Sequence, residues 1–374
     1  MPSKDSRPRP VQIPFLEGPR TFLPDEAWAQ EITKYQVTKY YRDLIASSPY
    51  RDQLKHIVEP SLQELNSPGR LDTSGEHDNT VVPGLQHKYP QTGLLLVTDR
   101  CTSYCRYCFR KRLVGKDTGE AATDFAAVAG YIAEHPEMTN VLMSGGDPFV
   151  LSTRKLHQIL DHLLPIPHLT SIRFGSKTTA FFPHRFDDPE LPALMGRIID
   201  AGKAPVIVSH FDHVGEVTDE AAKAIAKMRD AGVQYLNQGV LLGRVNDDPE
   251  ILAATIARLH AVGTRPYYVF QGRPVRGASH FQVPIWRGLQ IVRETNARLS
   301  GIQKTFRYIM SHYTGKIEIL DVSYDRIWMR YHQNPQPEHI GRIFSRPLRE
   351  DACWLDDLPV DDMSERAAEL AAHR

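Results

Sequence analysis

The chain has 374 residues, 41% hydrophobic and 24% charged, which is ample apolar material for a large core. Lysine plus arginine balance aspartate plus glutamate at 45 each, so no net field draws in nucleic acid or an anionic membrane. Four cysteines are too few for a disulfide scaffold and no apolar run approaches a membrane span, so the expectation is a cytoplasmic protein with neither a membrane nor a nucleic-acid partner.

Residues 1–25, basic and proline-rich, read as an extended arm, and 26–90 as an N-terminal helical region ending in the breaker-rich "NSPGRLDTSGEHDNTVVPG". Regular structure begins near residue 91. Strand-length apolar runs follow at "LLLVTD", "NVLMSGG", "SIRFGS", "PVIVSH", "YLNQGVLL" and "RPYYVF", most of them separated by helical-period segments such as "EAAKAIAKMRDAG". Strands apolar on both faces and alternating with helices imply a parallel sheet with right-handed crossovers. Six such units over 91–300 suit an α/β fold, an incomplete (β/α)6 TIM-like barrel, better than a doubly wound sheet. Polar residues gather at the strand C-termini (Thr98 and Asp99, Ser144 to Asp147, Ser176 and Lys177, Ser209 and His210, Gln271), the end where barrel active sites are built. Residues 301–345 read as short added strands, antiparallel, that complete the active site, and 346–374 as a polar tail.

After the first run comes "RCTSYCRYCFRKRLVG", with Cys101, Cys105 and Cys108 at CxxxCxxC spacing. Three thiolates on one loop can hold a [4Fe–4S] cube and leave one iron open to a small molecule, whereas structural zinc wants four protein ligands. Two other readings stay open on spacing alone: a zinc site completed by one of the sixteen histidines, or thiols that only pack. Cys353, alone near the end, reads as a small, partly buried hydrophobe.

The cysteine loop, with Tyr107 just before its last cysteine, together with the "SGGDP" of Ser144, Gly145, Gly146, Asp147 and Pro148, resembles the radical S-adenosylmethionine superfamily. The ordered set "VVPGLQHKYP", "YCRYCFRKRLVG", "LMSGGDPFVLS", "HFDH", "NQGVLLGRVNDDPE", "RPYYVFQ" and "VRGASHF" resembles more narrowly the lysine 2,3-aminomutase family over roughly residues 80–320. The resemblance implies a radical isomerase that generates a 5′-deoxyadenosyl radical and moves an amino group between adjacent carbons of an amino acid. It implies a [4Fe–4S] cluster on the three cysteines, S-adenosylmethionine on Ser144–Asp147 and His210, pyridoxal phosphate on Lys316 beside Gln238, and a substrate carboxylate on Arg110. An electron donor such as flavodoxin or ferredoxin, and a homodimer, follow from the same likeness.

The pattern is broken in places. Where the family has a glycine run before its pyridoxal lysine, this chain has Ser311, His312, Tyr313 and Thr314 ahead of Gly315 and Lys316. Bulk there would narrow the cavity. Where a family arginine meets the cofactor phosphate stands the neutral Thr92. The two aspartates that lysine mutases place against the distal ammonium correspond to Arg273 and Ile309, so a lysine side chain would meet a cation and a hydrocarbon. The expectation is a substrate other than lysine, with Arg273 facing an acceptor group such as the carboxylate of glutamate. The alternatives are a radical enzyme on the same scaffold that dispenses with pyridoxal phosphate, and a non-catalytic iron–sulfur protein. The family's C-terminal zinc cysteines are missing.

Overall fold

A twelve-stranded sheet runs through the described residues, its strands lying side by side in chain order. The structure is a computed structural model and describes residues 34–65 and 68–360, with the backbone of one short strand at 15–16. That strand, β1 (Phe15–Leu16), pairs antiparallel with β2 (Val37–Thr38). Helices α1 (Lys39–Ser47) and α2 (Arg51–Val58) follow, the first capped where the Thr38 side chain accepts from Tyr41 N–H.

The main sheet opens with the antiparallel strands β3 (Thr80–Val82), β4 (Leu85–Tyr89) and β5 (Thr92–Thr98). From β5 the chain alternates: α3 (Phe125–Glu134), β6 (Asn140–Gly145), α4 (Thr153–Leu163), β7 (Ser171–Ser176), the short α5 (Thr178–Phe181), α6 (Glu190–Asp200), β8 (Ala204–Ser209), α7 (Asp219–Asp230), β9 (Gln234–Leu241), α8 (Pro249–Ala261), β10 (Arg265–Gln271) and α9 (Ile285–Arg298). Strands β5 to β10 are the six expected ones and are parallel throughout. Helix α4 shows why the sequence folds this way. Leu156, Ile159, Leu160 and Leu163 recur at helical spacing and are buried, and Ser152 accepts from Lys155 N–H at its start. Each such side chain contributes roughly 1.5–3 kcal/mol.

The C-terminal strands β11 (Arg307–His312), β12 (Gly315–Ser323), β13 (Arg326–Gln333) and β14 (Ile343–Pro347) continue the same sheet. Here one expectation is corrected: β11 lies parallel to β10, and only β12 to β14 run antiparallel. Helix α9 is the reason, because its 14 residues carry the chain back to the starting edge as a sixth crossover. The order has two ends, β3 and β14, so the barrel stays open.

Two assigned boundaries also shift. Residues 80–89, placed with the helical region, are strands of the main sheet. Residues 348–358, placed in the polar tail, bury Ala352, Trp354, Leu355 and Leu358 in the core around α9, β12 and β13. The arm at 1–25, apart from the β1 backbone, and the tail beyond 360 lie outside the described residues. A second core fills the space between the helices α3, α4, α6, α7 and the sheet. A third joins α1 and α2 to Phe181, Leu242, Val275 and Phe281, above the C-terminal ends of the strands. Among the described residues no helix is long and apolar enough to cross a membrane.

Candidate active site

The loop after β5 carries all three clustered cysteines, and the N-terminal helices hold it in place. Backbone hydrogen bonds run from Tyr104 N–H to Gln36 (2.9 Å) and from Arg106 N–H to Ile57 (2.8 Å). The Gln36 amide donates to the Cys101 carbonyl at 2.7 Å. Arg106, fully buried, grips Glu64 through Nε (2.9 Å) and Nη2 (2.7 Å), and Lys111 Nζ reaches the same carboxylate at 3.0 Å. Burial pushes the Glu64 carboxyl up, but the two cations outweigh it and hold it below its usual range. Breaking such a pair from one side costs about 3–5 kcal/mol, so the loop is firmly seated.

A cavity of about 330 Å³ opens at the strand C-termini and runs down into the sheet. Cys101, Cys105, Cys108, Arg110, Ser144, Gly145, Gly146, Asp147, His210, Gln238, Arg273 and Lys316 all line it, as does Thr92. Every site residue picked from the sequence therefore faces one space. Burial raises the pKa of each cysteine thiol, and for Cys101 and Cys105 the neighbouring sulfurs raise it further. Neutral thiols need no counter-charge, but three crowded thiolates would need a cation among them. An iron–sulfur cube supplies one.

At the end of β6 the two glycines are a steric requirement. A Cβ on Gly145 (φ 109°) would sit 2.3 Å from the Thr98 carbonyl, and one on Gly146 would sit 2.0 Å from that of Arg100, where the cysteine loop begins. Asp147 has its partners within the protein. Its carboxylate is taken up by Ser176 Oγ (2.9 Å) and the N–H groups of Lys177 (2.8 Å), Thr178 (2.9 Å) and Phe149 (3.0 Å), so it locks this loop onto β7. His210 stacks on Tyr107 with ring centroids 5.9 Å apart, and its Nε2 lies 3.1 Å from both the Tyr107 hydroxyl and Asp212. Its other ring nitrogen makes no hydrogen bond among the described residues.

Arg110 is already paired within the protein. Its Nε and Nη2 hold Glu76 at 2.9 and 2.8 Å, and Nη1 donates to Ser144 Oγ at 3.0 Å. Arg273 differs. It packs 4.2 Å over the Phe109 ring, donates to Ser74 Oγ and to Ser311 Oγ (2.8 Å), and makes no ion pair among the described residues. Burial lowers its pKa to about 10.

Lys316 extends from β12 into the cavity, its Nζ 5.3 Å from the Tyr268 ring and 5.6 Å from that of Tyr89. Burial first, then the charges of Arg173, Arg273 and Lys88, lower its pKa to about 7. The residues before it do not obstruct it. His312 turns into the C-terminal core, bonding Thr314 Oγ1 (2.8 Å) and Asp356 (3.3 Å), and Thr314 meets the Tyr331 hydroxyl at 3.2 Å. Of the four bulky replacements only Ser311 lines the cavity. Gly315 is kept because a Cβ there would lie 2.3 Å from the Gln333 carbonyl.

Several cavity groups escaped sequence reasoning. Glu76 sits in a turn-rich segment with no signal of its own. Lys177, noted only as a strand-end residue, is buried against Asp212 (2.8 Å) and Glu216 (2.8 Å). Burial opposes the Asp212 charge, yet His210 and Lys177 hold that carboxyl far below its usual range. Arg173, mid-strand in β7, faces the cavity with its buried Nε unpartnered.

No family model matches the chain. An Aquifex aeolicus protein named "Putative L-lysine 2,3-aminomutase" is 42% identical over 355 residues, covering 93% of this chain and 94% of that one. The chain belongs to the lysine 2,3-aminomutase family. The L-lysine 2,3-aminomutase of Escherichia coli is 33% identical over 73% of this chain and 79% of its own. That of Fusobacterium nucleatum is 36% identical over 72% of this chain, which spans only 63% of that enzyme. A radical SAM methyltransferase structure from Sphaerobacter thermophilus aligns at TM-score 0.39 and 17% identity over 60% of this chain and 68% of that one, too slight a likeness to argue from. As a lysine 2,3-aminomutase family member, the chain is a radical isomerase working with a [4Fe–4S] cluster and S-adenosylmethionine.

Proposed function

We propose that this family member is a pyridoxal phosphate-dependent 2,3-aminomutase acting on an acidic amino acid, glutamate being the simplest, rather than on lysine. The observation that carries the reading is the cation lining of the cavity around Lys316. Lys88, Arg173, Arg273 and Lys316 line the same cavity, and none of the four makes an ion pair with a carboxylate among the described residues. A substrate ammonium there would be a further unpaired cation, whereas a carboxylate on Arg273 would relieve the repulsion. A Glutamate 2,3-aminomutase of Clostridioides difficile is among the relatives, 31% identical over 72% of this chain and 63% of its own.

The residues present fit pyridoxal phosphate. When bound, that group supplies an imine-forming carbonyl and a π-system able to delocalise an unpaired electron. Lys316, with its pKa lowered to about 7, keeps a large neutral fraction near neutrality and can attack a carbonyl without first surrendering a proton to another base. Tyr89 and Tyr268 flank it with aromatic faces. The phosphate charge lost at Thr92 has a candidate replacement in Arg173, which lines the same space, and in Lys88. Cys101, Cys105 and Cys108 would hold the cluster. Gly145, Gly146 and His210 would border S-adenosylmethionine, and Gln238 the pyridoxal ring. Asp212 fixes the His210 ring, so the nitrogen facing the cavity is set by the fold. Arg110 keeps one side toward Ser144 and would meet the substrate α-carboxylate only by sharing Glu76. A one-electron donor such as flavodoxin or ferredoxin and a cytoplasmic setting complete the reading.

Anaerobic reconstitution with iron, sulfide and pyridoxal phosphate tests it. Borohydride reduction followed by peptide mass spectrometry should find the pyridoxyl group on Lys316 and none in Lys316→Ala, and L-glutamate should give more 5′-deoxyadenosine than L-lysine. If the reconstituted chain makes 5′-deoxyadenosine but takes up no pyridoxal phosphate, the phosphate-independent alternative replaces this one.

A further inference from the structure

On the outer side of β4, away from the cavity, His87, His135 and Glu137 each bring one ligand atom to within 4.8 Å of the others. We propose that these three residues form a second metal site, for a single divalent d-block cation, best matched by zinc. It is separate from the three cysteines and joins the edge of the barrel to its first crossover helix.

The strand explains how the site arises. Side chains alternate across β4, so Gln86 and Lys88 line the cavity while His87 points to the other face, toward α3. His135 is the C-cap residue of α3, and Glu137 lies two residues on, before β6. The donors are thus fixed by two elements already packed together.

Three features go beyond a chance surface cluster. First, His87 Nε2 lies 3.1 Å from the Pro90 carbonyl, which can only accept, so Nε2 bears the proton and Nδ1 the lone pair. Imidazoles that ligate metals have this same arrangement, with the far nitrogen donating to a carbonyl and the near one free to coordinate. Nδ1 faces the Tyr131 hydroxyl at 3.1 Å, which can yield to an ion. Second, the Tyr131 ring stacks on His135 at 4.1 Å and 26°, and the two imidazole centroids are 5.3 Å apart, so the histidine planes are held. Third, Glu137 already sits 2.8 Å from His135 Nδ1, placing a carboxylate beside the pair without ordering a distant loop.

Two imidazole nitrogens and one carboxylate oxygen make a borderline donor set, suited to zinc and its neighbours rather than to magnesium or calcium. Bonds of about 2.0–2.1 Å in a tetrahedron put donors about 3.3 Å apart, so donor atoms that already lie within 4.8 Å of one another need close by about 1.5 Å at most. Water takes the fourth position. A bound ion would clamp β4, whose Lys88 and Tyr89 form part of the cavity wall, to the end of α3.

The test uses the cluster-loaded chain under anaerobic conditions, with its three cysteines occupied, titrated with zinc alone by calorimetry and assayed for metal after dialysis. One equivalent of zinc beyond the iron is expected, absent in the His87→Ala/His135→Ala variant and bound at least tenfold more weakly in Glu137→Gln. Cobalt added to the Cys101→Ala/Cys105→Ala/Cys108→Ala variant should give tetrahedral d–d bands without thiolate charge transfer. Should the double histidine variant fold poorly, the solvent-exposed Glu137→Gln change and the cobalt spectrum decide alone. Zinc uptake equal in Glu137→Gln and the parent, or uptake only at millimolar concentration, overturns the proposal.

Discussion

Replacing Lys316 with methionine should stabilise the cofactor-free protein at neutral pH, and by an amount that depends on pH. In the folded chain burial and the cations Arg173, Arg273 and Lys88 bring the amine from its usual 10.5 to about 7. In the unfolded chain it titrates as an ordinary lysine. Between those two values the unfolded state holds a proton that the folded state has released, so this residue makes stability rise with pH at about 1.4 kcal/mol per unit. At and below pH 7 the full penalty applies, at most roughly 5 kcal/mol, and water reaching a partly exposed amine reduces it to about 2–4 kcal/mol. Lys316→Met removes that penalty while keeping the side chain's length. Urea melts of the two proteins at pH 7, 8.5 and 10 should therefore show the variant more stable by about 2–4 kcal/mol at pH 7, with the gap shrinking steadily as pH rises. A gap that is zero, or that does not change between pH 7 and 10, would refute the claim that Lys316 lies uncompensated among cations. The same shift governs reactivity: at pH 7.5 roughly three quarters of an amine with pKa 7 is neutral, against about 0.1% of an ordinary lysine.

Gly146→Ala should leave the barrel folded by circular dichroism but displace the Arg100 carbonyl that its Cβ would strike, and iron retained per chain after reconstitution should fall by half or more. Lys177→Met should lower stability by about 3–5 kcal/mol, because Asp212 and Glu216 stay buried without their cation; a smaller loss in a chemical melt would mean that water reaches them. Trp354→Ala should cost about 3–5 kcal/mol in the same assay, a value expected of a core residue and not of a polar tail. Arg273→Ala should weaken binding of L-glutamate at least tenfold while leaving iron content unchanged, and equal binding would remove Arg273 from the substrate site.

Much of the site could be read from the chain because its chemistry depends on short spacings. Cys101, Cys105 and Cys108 lie within one loop, and Ser144 to Asp147 are consecutive, so no distant contact was needed to see them together. The six parallel strands were visible for a similar reason: a strand buried on both faces must be apolar throughout, whatever its neighbours. The direction of β11 was not visible, since an exposed-edge strand and a seventh barrel strand have the same local pattern and only the packing of α9 separates them. Nor could local pattern separate residues 348–358 from the solvated tail beyond them, for Trp354 and Leu355 sit among aspartates and only the cavity beside α9 draws them in.

Residue types and their order determined the strand and helix alternation, the cysteine loop and the class of reaction. Which charges meet was decided in three dimensions. Glu76 takes Arg110, Asp147 is spent on β7, and Arg273 and Arg173 are left without an acid among the described residues. His312 and Tyr313 looked like obstructions before Lys316, yet strand alternation turns His312 into the core and away from the amine. Electrostatic partners are chosen by distance through space, and distance through space is set by crossovers tens of residues long, so composition fixes how many charges there are while only the folded sheet fixes which of them remain unpaired.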